Sequence, residues 1–205
     1  MKSSIWNFWA DKYDKLWVQK YSLKPTRNYI LNAMSEFRNK DIKVLDLGCG
    51  PGQLIHELSA KYNNLKITGI DFSDKMLTIS KSMNPQATHI NLDANELCKL
   101  NDNFDVIICT HSLPYYKEPE KIMKELKRVL KDNGRIFMGF ASGNSLYDKF
   151  ILSFVKLTTG PANYPSDENF RKIVSSYFKV ENLKIIKEKS FMPRIAVYTL
   201  KKADI

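Results

Sequence analysis

Short apolar runs that break on glycine, asparagine or an acid recur along the chain, separated by longer stretches whose apolar residues repeat at helical spacing. IKVLDL at 42–47, LKITGI at 65–70, a short segment ending at Leu92 and FDVIIC at 104–109 are too brief for helices, so each predicts a strand. FDVIIC is almost continuously apolar, as a central parallel strand buried on both faces would be. Between these runs, 53–62 and 74–83 predict helices, with Ser73 as the cap of the second. Residues 119–130 predict another, with Ile122, Met123, Leu126, Val129 and Leu130 inward and lysines outward. Asp132-Asn133-Gly134 then predicts a turn before a fifth strand at 135–140. An apolar, aromatic-bearing helix follows within 141–165, then a helix at 166–177 and two strands, 178–188 and 194–201, paired as a hairpin. The alternation predicts an α/β fold with a mostly parallel sheet and helices on both faces.

Ahead of the first strand, Ile5 to Tyr21 carries all three tryptophans at roughly helical spacing and predicts an aromatic-rich amphipathic helix. Two readings stand side by side: it packs on the sheet, or it lies over a ligand pocket as a lid, with Tyr13 the residue to test first. Pro25 is expected to break this helix before a second at 27–37.

The candidate chemistry gathers where the predicted strands end. Gly48, Gly50 and Gly52 follow the first strand, in a spacing that differs from the G-x-G-x-x-G of dinucleotide sites, and Asp46 just before them would repel a pyrophosphate. A cationic or neutral ligand is therefore expected. Asp71 ends the second strand, 25 positions after Asp46, and could accept both hydroxyls of a ribose. Asp93 follows the third strand and could accept from an exocyclic amine, while Met76 and Leu77 would offer an apolar wall to a purine. After the fourth strand come Thr110 and His111, the latter a candidate general base from its ordinary pKa near 6.5.

Five blocks stand in order: VLDLGCGPGQ (44–53), GIDFSDKML (69–77), NLDANEL (91–97), FDVIICTHSLPYY (104–116) and ELKRVLKDNGRIF (125–137). With them the chain resembles the class I S-adenosylmethionine (SAM)-dependent methyltransferases, especially the group that includes ubiquinone- and menaquinone-pathway and small-molecule enzymes. The resemblance covers about half of the chain and implies a Rossmann-like seven-stranded sheet in one SAM-binding domain. A helical cap is expected over 1–38, and 141–165, the stretch least like the family, is expected as an acceptor-side insertion. Cofactor contacts are implied for Asp46, Gly48, Cys49, Gly50, Gly52, Gln53, Asp71, Phe72, Ser73, Met76, Asp93, Ala94 and Thr110, with His111 and Tyr13 as catalytic candidates. The acceptor it implies is a small molecule. Thr110-His111-Ser112-Leu113 stands where adenine- or glutamine-N-methylating enzymes carry N/D/S-P-P-Y, and no Pro-Cys nucleophile for cytosine C5 chemistry is present.

Composition changes this picture little. At 205 residues, 43% apolar and 26% charged, the chain has the balance of an ordinary globular domain. No apolar run reaches the ~20 residues of a membrane-spanning helix, and the first residues lack a signal-peptide pattern, so a cytoplasmic location is the expectation. Cys49, Cys98 and Cys109 have no C-x-x-C spacing and read as reduced thiols, and with His56, His89 and His111 they offer no ligand spacing, so no metal is expected. The net charge of +10 would suit an acidic partner such as nucleic acid or an anionic membrane. No basic run exceeds two residues, which favours a lysine-rich solvated surface and argues against nucleic acid. For 141–165, a plain core helix, a cover for the acceptor pocket and an interfacial membrane or dimer face all remain open.

Overall fold

The computed structural model of the chain describes residues 3–10 and 19–203, so Tyr13 and most of the second half of the expected N-terminal helix lie outside the described residues. Strands β1 (Ile42–Leu47), β2 (Leu65–Asp71), β3 (Thr88–Asn91), β4 (Phe104–Thr110), β5 (Leu130–Ala141), β6 (Phe178–Ile186) and β7 (Ile195–Lys202) form one seven-stranded sheet in the order β3-β2-β1-β4-β5-β7-β6. Neighbours from β3 to β5 pair parallel, whereas β7 pairs antiparallel with both β5 and β6. The strand order reverses between β1 and β4, and at such a switch point two chains leave the sheet in opposite directions and open a crevice beyond their C-terminal ends.

Helices α1 (Ser3–Trp9), α2 (Lys24–Ala33), α3 (Gln53–Lys61), α4 (Asp74–Met83), α5 (Pro119–Val129), α6 (Leu146–Thr159) and α7 (Asp167–Val174) complete the described regular elements, apart from short 3-10 and π turns. Two apolar layers sandwich the sheet. One joins Leu45, Leu47, Ile107 and Met138 of the strands to Ile122, Met123 and Leu126 of α5; the other joins Val44, Val106 and Ile108 to Ile30 of α2 and Ile55 and Leu58 of α3. Alternate residues of β1 and β4 enter opposite layers, which is why both strands read as unbroken apolar runs.

Three local expectations differ from the structure. Pro25 does not break a helix; it occupies the first turn of α2, where its missing N–H has no intrahelical partner to lose, and a π-helical turn at Gln19–Leu23 leads into it. Asp132-Asn133-Gly134 does not precede the fifth strand but lies inside it, because Phe104 pairs with Leu130 and Val106 with Arg135, leaving the polar residues between as an irregularity in the register. The final helix is shorter than 166–177, running over Asp167–Val174 with Ser166 accepting from the Asn169 N–H at its start.

Candidate active site

The crevice beyond β1 and β4 contains two adjoining cavities that share Gly48, Gly50, Thr110 and His111. The larger is lined by Ile70, Asp71, Phe72, Met76, Leu92 and Ala94, and by Trp6, Ser112, Tyr115 and Tyr116. The smaller is lined by the glycine loop and by Asp46, Cys49, Gln53, Leu23 and Arg27.

The loop between β1 and α3 is held by its own backbone. Gly48, Gly50 and Gly52 all have positive φ (75°, 54° and 82°), a region closed to most side chains. A Cβ on Gly48 would lie 2.7 Å from the Ser112 Cβ, and one on Gly52 would collide with Ser80 and Asn84 of the α4 region, so both glycines permit close packing. At Gly50 a Cβ would meet nothing within 4 Å, leaving its backbone bare against the crevice. The amides of Gly48 and Cys49 donate to the Ile70 carbonyl, which moors the loop to β2.

Asp71 holds the loop from the other strand. One carboxylate oxygen accepts from the Gly50 N–H and the other from the Ser73 N–H, both at 2.9 Å, and a carboxylate with about four acceptor sites can still accept from a ligand. Burial raises its pKa, and the amides of Ser73, Gly50 and Phe72 oppose that rise. Asp46, one position before the end of β1, is 2% exposed, and no described residue donates a hydrogen bond to its carboxylate. Burial first, and the Asp71 charge second, push its pKa up to about 7. A buried carboxylate without a donor is costly, and a cation or N–H donor brought to it would relieve that cost.

His111 takes up φ 59°, in the left-handed region, immediately after β4, with its N–H donating to the Gly139 carbonyl at 2.6 Å. Thr26 donates its hydroxyl hydrogen to the Ser22 carbonyl at 2.7 Å, so its oxygen is the acceptor for His111 Nε2 at 3.1 Å. The ring therefore carries its hydrogen on Nε2 and leaves Nδ1 as the basic nitrogen. Burial, and then the Arg27 charge, lower its pKa to about 4, which corrects the expectation of a base poised near 6.5.

The positions named from sequence do not all converge. Asp46, Gly48, Cys49, Gly50, Gln53, Asp71, Phe72, Met76, Ala94, Thr110 and His111 line one or both cavities. Gly52, Ser73 and Asp93 line neither. Gly52 packs against α4; Ser73 caps it, donating its hydroxyl to Asn7 of α1 at 2.5 Å while accepting from the Met76 N–H; and Asp93 accepts from both nitrogens of Asn95 at the next turn. Arg27, absent from the expected set, spans the smaller cavity: its Nε meets both Glu57 oxygens at 3.1 Å and its Nη1 reaches Gln19 and Gln53. It belongs to no glycine or acid motif, and a basic residue at the start of a predicted helix is the only signal its sequence offers. Ser112 and Tyr116 follow the end of β4, where ligands of open α/β sheets gather, and line the larger cavity: Tyr116 donates to Ser112 at 3.1 Å and Ser112 to the Leu47 carbonyl at 3.2 Å.

Comparison with known proteins agrees with this geometry. The methyltransferase domain family matches residues 45–138. The demethylmenaquinone methyltransferase of Thermotoga maritima is 35% identical over 94 residues, 46% of this chain and 41% of that protein. The ubiquinone/menaquinone biosynthesis C-methyltransferase of Campylobacter jejuni is 31% identical over 107 residues, 50% of this chain and 46% of that one. The chain thus spans less than half the length of these two curated relatives. In fold it is similar to magnesium protoporphyrin IX methyltransferase from Synechocystis with bound SAH, at TM-score 0.78 and 18% identity over 99% of this chain and 100% of that one. It is also similar to the putative methyltransferase in complex with the Haloferax volcanii Trm112 activator, at TM-score 0.80 and 15% identity over 97% and 98%. The ordered blocks, the strand order and a methyltransferase domain matched over residues 45–138, just under half of the chain, thus point the same way, and the fold is shared with methyltransferases of known structure.

Proposed function

We propose that the chain binds SAM across the two cavities and transfers its methyl group to a small-molecule acceptor held in the larger one. The observation that carries this reading is the pair of buried carboxylates at the switch point: Asp46 has no described donor, and Asp71 has lone pairs to spare. The residues fit such a cofactor. Asp46 suits an ammonium or sulfonium charge, the bare backbone at Gly50 admits a close approach, and Asp71 suits a ribose diol. Ile70, Met76, Leu92 and Ala94 offer an apolar slot for a purine. Arg27, whose Nη2 has no partner among the described residues, suits the carboxylate of the amino-acid end. SAM supplies a methyl carbon already activated by its positive sulfur.

What remains for the protein is alignment and exclusion of water. Trp6 packs edge-on against Tyr115 at 5.1 Å, and Tyr115 meets Tyr164 hydroxyl to hydroxyl at 3.4 Å, so α1, the segment after β4 and the segment after α6 converge over the larger cavity. Such an aromatic cover keeps the space beside Thr110 and His111 poor in water, where holding two reactants in contact supplies much of the acceleration. His111 is neutral there near pH 7, with Nδ1 free to accept a hydrogen bond from an acceptor group and little tendency to keep a proton.

The test is transfer of isotope-labelled methyl from SAM into a cell extract divided into small-molecule, lipid, RNA and protein fractions, with Asp71→Ala as control. Label in small molecules or lipids, lost in the variant, is the expected result. Label confined to RNA or protein would replace the small-molecule reading.

A further inference from the structure

Helix α6 is joined to the rest of the molecule by few buried side chains. Only Leu152 and Asp148 are buried along its described positions, and Asp148 is consumed by the capping box with Ser145. The opposite situation holds on its outer face. Leu146, Phe150, Phe154 and Leu157 are 86%, 60%, 55% and 81% exposed, with Tyr147 at their edge. At 3.6 residues per turn these fall on one stripe, about 16 Å long from Leu146 to Leu157. Phe150 and Phe154 stack edge to face at 5.0 Å on that stripe. Phe191 extends the patch, accepting the Tyr147 hydroxyl on its carbonyl at 2.8 Å.

The charges around the stripe have one predominant sign. Lys149 and Lys156 lie two turns apart on one face of the helix, beside the stripe, Lys156 also standing 5.9 Å from the Tyr164 ring centroid, and Lys187 stands 5.8 Å from the Tyr147 ring centroid, with Lys189 beyond it. Against these four lysines the same stretches carry one exposed acid, Glu188. No helix among the described residues is long and apolar enough to cross a membrane. An apolar, aromatic stripe bordered by lysines on a protein of net charge +10 has the design of a helix lying in a lipid interface, rings in the acyl boundary and ammonium groups among anionic headgroups. A second copy of the chain would meet lysine with lysine.

We propose that α6 is a peripheral membrane anchor that seats the protein on an anionic bilayer through Phe150, Phe154, Leu146 and Leu157, with Lys149 and Lys156 at the headgroups. The helix ends at the rim of the larger cavity: a Cβ on Gly160 would lie 3.0 Å from Ile5 Cδ1, beside Trp6, and Tyr164 beyond it meets Tyr115. Anchoring would thus bring that rim close to the bilayer. The anchor does not depend on methyl transfer and is tested without it.

The experiment is co-sedimentation of the full chain with vesicles of phosphatidylcholine alone or mixed with phosphatidylglycerol, together with sedimentation velocity in the absence of lipid. The expected result is binding to the mixed vesicles only, weakened by added salt. Phe150→Ser with Phe154→Ser should lower the partition coefficient at least about tenfold, the scale of losing one inserted ring, and Lys149→Glu with Lys156→Glu should also lower it. These side chains are exposed, so thermal melting should match the parent. Absence of binding to the mixed vesicles, or equal binding by the Phe variant, overturns the anchor. A dimer in solution that the Phe variant dissociates, without vesicle binding, overturns it as well and assigns the stripe to a second copy.

Discussion

Asp46 is the residue on which the electrostatics of the crevice turn. Its folded pKa near 7 stands above the ordinary 3.8, so between those values the folded chain holds a proton that the unfolded chain has released. Its contribution to stability is therefore largest in acid and is lost as pH rises towards 7. Asp46→Asn has no such proton to lose, so its stability relative to the parent should grow from about pH 4 to about pH 7 and then level, as urea titrations at several pH values would read. SAM binding should show the complementary trend. A cationic ligand prefers the ionised carboxylate, so affinity in the parent should rise with pH up to about 7, and calorimetry on Asp46→Asn should find a flatter and weaker profile. His111 carries the opposite sign, since its lowered pKa costs stability below its ordinary value of 6.5 and not above it. Its backbone imposes a second demand. At φ 59° a β-branched side chain is strained, so His111→Val should destabilise the fold by about 1–2 kcal/mol more than His111→Asn, a comparison that denaturant unfolding resolves.

At the scale of elements, the glycine loop couples α3 to α4. Gly52 has positive φ, its carbonyl accepts from Asn84 Nδ2 at 3.0 Å, and a Cβ there would collide with Ser80 and Asn84. Gly52→Ala should thus cost at least about 2 kcal/mol by thermal melting, since strain and overpacking add, although Gly52 lines neither cavity. Much of the architecture was legible in the sequence because β1, β2 and β4 are buried and so carry the apolar runs that announce them, with Gly48, Asp71 and Thr110 marking their ends. β5 was harder. Its polar Asp132-Asn133-Gly134 reads as a turn, and only pairing with Phe104 draws Leu130 into the strand. The caps show the same limit: Ser73 and Asp93 stand at the right strand ends, but local amides occupy the Ser73 hydroxyl and the Oδ1 of Asp93, and sequence position does not report which way a side chain turns.

The crevice is a property of the whole molecule, built by α1, α2, the loop after β1 and the strand ends of β2 and β4. Arg27 was invisible to motif reading for this reason, since Glu57 and Gln53 reach it from 30 and 26 positions away. Arg27→Ala should weaken SAM binding about tenfold or more, by removing a charge-assisted partner and leaving Glu57 unpaired, and calorimetry should find the loss in affinity with the fold intact. The convergence of Trp6, Tyr115 and Tyr164 is equally long-range, and no local pattern announces it.

The central claim is that SAM binds at the switch point through Asp71, and isothermal titration of SAM into the parent, Asp71→Asn and Asp71→Ala tests it most directly. Asp71→Asn keeps the shape and one acceptor oxygen, and should bind about tenfold to a hundredfold more weakly, the range of a lost charge-assisted hydrogen bond. Asp71→Ala should show no measurable binding while circular dichroism reports an intact sheet. Parental affinity in the folded Asp71→Ala variant would contradict the account and move the cofactor away from this crevice.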